Sequence, residues 1–274
     1  EVREAAATVD GLFRLEVLPA LHGGDPRFEA LNLEGLGMVS ADEARAWFRR
    51  ERATGPIEIA VSGDLGIGDI MAELNRIAAV LSGVGASAAD VSFSGLEFPS
   101  GADIRMEIPS NVPQAAVVLA FPSQGQSPIG TTRRLGVLTE VISDRMRVRI
   151  REDMGMAYSL ASFNLTEGRF PFGTLVNFVF TSPGNVDAVA EALEETVLGL
   201  LDEPVTEDER QRALEPVNRQ IEKMVRSNAY WLRVMGGAAR QQSQLDWART
   251  IREDFRSVTT DELNELAREF LVPE

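Results

Sequence analysis

The sequence contains no cysteine and only one histidine, His22. The lack of thiols excludes disulfide bonds, thiolate zinc sites and cysteine catalysis. A zinc site of the H-x-x-E-H kind needs two histidines on one face of a helix, so this chain is predicted to bind no metal and to hold no cofactor of its own. His22 precedes a glycine pair and is expected to be a partly exposed loop residue.

Positive charge and long apolar runs are also scarce. Lys223 is the only lysine, and the formal net charge is −15 with an isoelectric point near 4.6. Nucleic-acid binding requires clustered basic residues, so no nucleic-acid partner is predicted. No segment approaches the ~18 consecutive apolar residues of a membrane span. The composition, 44% hydrophobic and 25% charged, is that of a globular protein.

Two further patterns look like ligand sites but lack the required spacing. The glycines Gly63, Gly66 and Gly68 follow a G-x-x-G-x-G order, which reverses the dinucleotide-binding fingerprint. Acidic residues cluster at 191–195 and 203–209, but no loop there has calcium-ligand spacing. We interpret the first as a tight turn and the others as solvated helix surface.

The most informative stretch is 131–181. Leu135, Leu138, Ile142 and Met146 recur at spacings of three and four, which predicts a helix with one buried stripe. Gly155 is predicted to end this helix with positive φ. Two extended runs follow, 157–165 and 173–181, and turn residues at 167, 168 and 171 separate them. They predict an antiparallel hairpin.

The remaining pattern indicates an α+β fold, a mostly antiparallel sheet with helices packed against it. A capping box at 40–43 opens one helix, and another is expected to begin at Thr206 and to kink at Pro216. A buried central strand is predicted at 115–121. Further strands are predicted at 57–62 and 104–108, and further helices within 1–22 and at 69–81, 186–200 (capped by Asn185), 229–242 and 260–271.

A segment rich in Gly, Ser and Ala, residues 82–101, is the expected domain boundary. Residues 1–95 are therefore predicted to be the end of a preceding α+β domain with its linker. Residues 96–274 are predicted to form an α+β substrate-binding domain.

Residues 150–159 read Ile-Arg-Glu-Asp-Met-Gly-Met-Ala-Tyr-Ser. An amphipathic helix ending in this way resembles the zinc-free C-terminal half of pitrilysin/insulinase-type metallopeptidases, the inverzincins. Weaker matches are Gly-Asp-Pro-Arg-Phe at 24–28, Ile-Ala-Val-Ser-Gly-Asp at 59–64 and Asn-Ala-Tyr-Trp at 228–231. All four occur in the order found in the family.

The resemblance implies that each peptidase half consists of two similar α+β domains. In the family a further strand usually follows the last helix, whereas this sequence ends first and domain 96–274 is expected to lack that strand. The predicted strand 57–62 either has no sheet of its own or fills the vacant place.

The resemblance also implies a site. In the family an arginine and a tyrosine seven positions apart contact the substrate carbonyl next to the scissile bond, and Arg151 and Tyr158 match that spacing. The expected partners are a peptide or protein substrate and a zinc-bearing N-terminal half or partner subunit, with zinc located in that missing half. From the residues alone, the favoured interpretation is structural: Arg151 finishes a basic helix end, and Tyr158 packs its ring on the sheet with its hydroxyl in water. The resemblance reverses that preference.

Alternation along the strand makes a prediction about its two faces. Tyr158 is expected to share one face with Leu160, Ser162 and Asn164, and a functional tyrosine is expected to expose its hydroxyl beside the Arg151 guanidinium. The other face carries the larger apolar residues and is predicted to be the core side: Ser159, Ala161, Phe163 and Leu165.

Two other functions stay open. The chain could be a non-catalytic assembly subunit, or a module that binds extended peptides by adding a strand to a sheet edge. Substrate identity and oligomeric state are not indicated by the sequence. A bacterial periplasm or cell envelope is suggested only by the resemblance.

Overall fold

The structure is a computed structural model that describes residues 8, 11, 13–28, 33–54, 57–80, 96–107, 112–126, 128–166, 170, 172–239 and 241–272. The chain forms two compact units. The first comprises Glu1–Asn32, Phe93–Asn218 and Glu253–Glu274, and the second comprises Leu33–Ser92 and Arg219–Arg252. These two units do not coincide with the predicted domains 1–95 and 96–274. The boundary at residue 95 stays a prediction.

Within the described residues the fold has three strands and nine α-helices of six residues or more. The strands are β1 (Ala115–Gln124), β2 (Ser159–Leu165) and β3 (Phe172–Thr181). The helices are α1 (Leu33–Met38), α2 (Ala41–Thr54), α3 (Ile67–Val80), α4 (Ile129–Met146), α5 (Val186–Leu198), α6 (Glu207–Met224), α7 (Asn228–Met235), α8 (Ser243–Arg256) and α9 (Thr260–Phe270). Helices with a small antiparallel sheet confirm the predicted α+β class.

The sheet has the order β1-β3-β2, and both of its pairings are antiparallel. The register places Leu119 of β1 and Ser162 of β2 opposite Asn177 of β3. The predicted hairpin of β2 and β3 is therefore confirmed. The strand predicted at 115–121 is present as β1, but its predicted central place in the sheet is wrong. Among the described residues β3 occupies the centre, and β1 has a strand neighbour on one side only.

Helix α4 covers one face of this sheet. Its predicted stripe is fully buried: Leu135, Leu138, Ile142 and Met146. These side chains share one core with Leu175 and Val179 of β3, Leu193 of α5 and Leu263 of α9. Burying each such side chain contributes ~1.5–3 kcal/mol relative to leaving it exposed. The core therefore fixes the position of α4, whose C-terminal end carries the site described below.

Polar side chains form hydrogen-bonded links within this helix-covered face. Ser162 Oγ donates to Asn177 Oδ1 at 2.7 Å, and Asn177 Nδ2 donates to the Leu119 carbonyl at 3.1 Å. The Ser162 amide donates to Ser143 Oγ on α4 at 2.8 Å. Ser123 Oγ of β1 donates to Asn164 Oδ1 of β2 at 2.7 Å. Because buried polar groups are costly unless bonded, these links are what allow serine and asparagine to face the helices.

The predicted core side of β2 is wrong, although Leu160 and Ser162 share one face and Phe163 lies on the other, as predicted. The helix-covered core includes Leu160 and the buried Ser162, whereas Phe163 lies on the opposite, half-buried face. There it contacts Phe178 with ring centroids 5.9 Å apart. Phe13 also packs against Phe178, at 5.0 Å. Side-chain size suggested the wrong core side because it ignored the hydrogen bonds that satisfy Ser162.

The predicted strands at 57–62 and 104–108 are also wrong over their described residues. Residues 57–62 and 102–107 have no strand assignment and belong to no sheet there. Alternating apolar residues form a strand only where a partner strand pairs with their backbone hydrogen-bonding groups. Ile59 and Ile104 are accordingly exposed, at 45% and 54%.

Helix ends agree with the sequence where a cap is present. Ser40 and Glu43 bond reciprocally, as do Thr206 and Glu209, which confirms both capping boxes. Asn185 occupies the N-cap position of α5, but its side chain makes no capping bond. Helix α6 continues through Pro216, and whether it kinks there stays a prediction.

The helix predicted at 229–242 is too long. Helix α7 ends at Met235, because Gly236 leaves the helical conformation and Gly237 has a φ of 110°. Helix α8 follows, and the sequence reasoning missed it.

The second unit contains α1, α2, α3, α7, the C-terminal end of α6 and most of α8. It brings two of the weaker family matches together. Ser62 Oγ donates to Asn228 Oδ1 at 3.4 Å. The neighbouring Glu58 accepts from the Ala239 amide at 3.0 Å. Segment 57–62 is therefore held by the α7 region through side-chain bonds rather than by a strand partner.

Several predictions fall outside the described residues. These include residues 1–7, 9, 10 and 12 of the helix predicted within 1–22, the boundary segment 82–95, the turn residues 167, 168 and 171, and the last two residues of the sequence. The described part of that first helix is helical, as a π-helix over Phe13–Val17 and an α-helical turn over Leu18–Ala20. Among the helices that the structure describes, none has the length and apolar character needed to span a bilayer.

Candidate functional site

The site begins where α4 ends. The helix widens into a π-helical segment, Arg147–Asp153, in which the Met154 amide donates to the Arg149 carbonyl. Gly155 then adopts a φ of 66°, and no atom outside its immediate neighbours would lie within 4 Å of an added Cβ. Positive φ disfavours other residues, so backbone conformation rather than crowding selects glycine here. The predicted helix stop is confirmed, and it turns the chain into β2.

Four arginines occupy this helix end, and three of them are engaged. The half-buried Arg145 holds Glu209 at 2.7 Å and donates to the carbonyl of Glu203 at 2.9 Å. Burial opposes ionisation of Glu209, but hydrogen bonds from Arg145 and Thr206 outweigh it and lower its pKa. Arg145 therefore joins α4 to the start of α6, which is a structural role.

The next two arginines pair with acidic side chains nearby. Arg147 hydrogen-bonds Asp144 at 2.5 Å and also contacts Glu152, and these carboxylates raise its pKa, Asp144 more strongly. Arg149 lies 3.9 Å from Glu195 of α5. Such exposed pairs contribute little stability, but they orient the side chains.

Arg151 differs from these neighbours. Its side chain is exposed, and its guanidinium has no hydrogen bond or ion pair with any residue that the structure describes. Arginine carries five N–H donors in a planar fork, and it remains charged at any physiological pH. This guanidinium is therefore available to a carbonyl or carboxylate ligand.

Tyr158 lies directly before β2 and is 56% exposed. Its amide donates to the Phe180 carbonyl at 2.8 Å, so backbone pairing with β3 begins at this residue. Its hydroxyl lies 2.7 Å from Ser182 Oγ, and either oxygen can be the donor. The preceding segment is fixed by the fully buried Thr181, whose hydroxyl donates to the Met156 carbonyl at 2.6 Å.

The structure thus places both predicted site residues at the junction of helix and sheet, but no hydrogen bond joins them. The Tyr158 hydroxyl contacts Ser182 instead of the Arg151 guanidinium, which was the expected neighbour. The sequence reasoning missed Thr181 and Ser182 because both lie more than 20 residues beyond Tyr158. Only the β2–β3 register brings them close.

His22 packs among aromatic rings. Its ring stacks on Phe28 with centroids 3.9 Å apart and an interplanar angle of 8°. Phe170 and Phe172 lie at 5.7 Å and 5.9 Å. Nearby, Arg27 hydrogen-bonds Asp25 and lowers the pKa of that carboxyl group to about 2. His22 therefore belongs to an aromatic cluster.

No group of three or more His, Asp or Glu residues in the described part of the chain could hold a metal ion. The acidic cluster at the start of α6 makes internal contacts instead. Glu207 accepts hydrogen bonds from Arg210, Gln211 and Thr260, which lower its pKa to about 2. The residues that the structure describes therefore do not fit a zinc site.

The family model described as the peptidase M16 inactive domain matches residues 39–217. Among curated proteins, the chloroplastic stromal processing peptidase of Pisum sativum is 30% identical over 99 residues. That match covers 36% of this chain but 8% of the pea protein.

Two solved structures share the fold. The peptidase M16 inactive domain from Pseudomonas fluorescens has a TM-score of 0.72 and 17% identity, with 99% of this chain and 65% of that chain covered. The periplasmic protease PqqL from Escherichia coli has a TM-score of 0.70 and 16% identity, with 98% and 31% covered. The chain therefore spans less than two thirds of these relatives.

Proposed function

The chain belongs to the family of peptidase M16 inactive domains, and on that premise we propose that it binds and positions an extended peptide for a zinc site carried by another half or subunit. The observation that carries the proposal is that the Arg151 side chain is exposed and not engaged by other described residues. It alone among the four arginines of the helix end leaves its guanidinium without a described partner. An exposed arginine without a described partner, seven residues before an exposed tyrosine at the same helix-to-sheet junction, suits ligand contact better than helix termination.

The proposed mechanism follows from the donors present. Arg151 offers a charged N–H fork, and Tyr158 offers a hydroxyl at the entry to β2. Donors that are already oriented toward a peptide carbonyl lower the barrier as negative charge develops on its oxygen. The missing zinc-bearing half would supply the Lewis acid and the activated water. This chain would supply only binding, orientation and charge stabilisation.

One alternative has an observation in its favour. β1 has β3 on one side only among the described residues, so an extended peptide could add a strand at its other edge. In that case Arg151 and Tyr158 would not affect binding. A purely structural assembly subunit would likewise tolerate their loss.

Metal analysis and reconstitution test the division of labour. The purified chain is expected to contain less than 0.1 zinc per molecule, on the order of contamination, since one histidine and no cysteine cannot build a closed site. It is also expected to hydrolyse no peptide alone. Joined to, or mixed with, the zinc-bearing half, it should raise hydrolysis above the level of that half by itself. One tightly bound zinc per chain, or no gain on reconstitution, would contradict the proposal.

A further inference from the structure

Tyr158 is held in place by three consecutive residues, the last two of β3 and the residue that follows it. The Phe180 carbonyl accepts a hydrogen bond from the Tyr158 amide, and the Thr181 hydroxyl donates one to the Met156 carbonyl. Ser182 Oγ lies 2.7 Å from the Tyr158 hydroxyl. The first two bonds hold the backbone, and the third holds the side chain. An exposed tyrosine would otherwise rotate freely about χ1.

We propose that Ser182 is a positioning residue, which orients the Tyr158 hydroxyl and strengthens it as a donor to a substrate carbonyl. This inference rests on the proposed function of Tyr158. The two hydroxyl groups carry two protons, and their mutual hydrogen bond uses one of them. One proton therefore remains for a ligand, whichever oxygen donates in the free protein.

The preferred arrangement with a bound peptide follows from acidity. A phenol is a stronger hydrogen-bond donor than an aliphatic alcohol. The peptide carbonyl therefore receives the strongest hydrogen bond when Ser182 donates to Tyr158 and Tyr158 donates to that carbonyl. Accepting a bond from Ser182 polarises the phenol, and hydrogen bonds in such a chain reinforce one another. Ser182 is suited to this role because it directly follows β3 and precedes the helical turn Pro183–Asn185, which fixes its backbone.

The pairing can be tested on the 274-residue chain itself. Its only tyrosines are Tyr158 and Tyr230, so tyrosine labelled with ¹³C at Cζ gives two NMR signals, and Tyr158→Phe assigns one of them. Ser182→Ala should shift the Tyr158 signal, and Ser182→Thr should restore it. Ser257→Ala is the control, because the Ser257 hydroxyl donates to the Asp254 carbonyl and not to a tyrosine. It should leave the Tyr158 signal unchanged. An unchanged signal in Ser182→Ala would overturn the pairing.

The role in catalysis is tested by a double-mutant cycle in the reconstituted peptidase. Losing one neutral hydrogen bond predicts a fall in kcat/KM of roughly two- to tenfold for Ser182→Ala. In a Tyr158→Phe background the same substitution should have no further effect, because Ser182 acts through the hydroxyl already removed. An equal fall in both backgrounds would overturn the positioning role. If Tyr158→Phe alone leaves kcat/KM unchanged, the proposed function fails instead, while the NMR result stands separately.

Discussion

Arg151→Ala is expected to lower kcat/KM of the reconstituted peptidase by roughly 100- to 1,000-fold, the usual cost of removing one donor to a developing oxyanion. The guanidinium makes no hydrogen bond or ion pair within the described part of the chain, so no internal interaction is lost. Folding and the zinc content of the other half should therefore not change. Tyr158→Phe should produce a loss in the same direction, which kinetic assays with thermal unfolding as a control would measure.

Arg149→Ala is the matched control for this experiment. It removes the same charge from the same helix end, two residues earlier, and its side chain is also exposed. Its partner is Glu195 at 3.9 Å, so the loss should affect stability by less than ~1 kcal/mol and activity only slightly. Equal losses for both variants would show that the general positive charge matters rather than Arg151. Wild-type activity in Arg151→Ala would leave the helix-end interpretation standing.

Gly173→Ala is expected to destabilise the first unit by about 1–3 kcal/mol or more. Gly173 lies opposite Ser123 in the β1–β3 register. A Cβ at this position would lie 2.5 Å from the Gln124 carbonyl oxygen and 2.6 Å from Ser123 Oγ. A backbone carbonyl cannot move aside without breaking the strand pairing. Denaturant unfolding followed by circular dichroism would measure the loss.

Gly136→Ala provides the opposite expectation in the same unit. Gly136 lies inside α4, and no atom outside its local helix would be within 4 Å of an added Cβ. Alanine should therefore stabilise the helix by about 0.5–1 kcal/mol. If Gly173→Ala unfolds at the same denaturant concentration as wild type, the described register of β1 on β3 is incorrect.

Local patterns predicted the central part of the fold well. The spacing of Leu135, Leu138, Ile142 and Met146 was enough to identify the buried side of α4, because a helix with a 3.6-residue period has one such face. Gly155 was likewise predictable, since a single left-handed residue between helix and strand requires glycine. Both features depend on residues close together in the sequence.

Features that depend on distant residues were not predictable from the sequence. Ser162 faces the helices because Asn177 and Ser143 satisfy its polar groups, and neither partner is evident from the strand pattern. Which strand lies at the centre likewise depends on the pairing order. For the site, the family resemblance supplied Arg151 and Tyr158, whereas Ser182 appeared only once β3 was placed beside β2.

The most direct test of the central claim is photo-crosslinking from position 158. Tyr158 is replaced by p-benzoylphenylalanine in a reconstituted peptidase whose zinc-bearing half lacks its catalytic glutamate, so that a bound peptide is not cleaved. Mass spectrometry then locates the crosslink, with the same photoreactive residue at Arg149 as the control. The account predicts crosslinks from position 158 to residues adjacent to the scissile bond, and few or none from position 149. Crosslinks absent from position 158, or equally frequent from both positions, would contradict it.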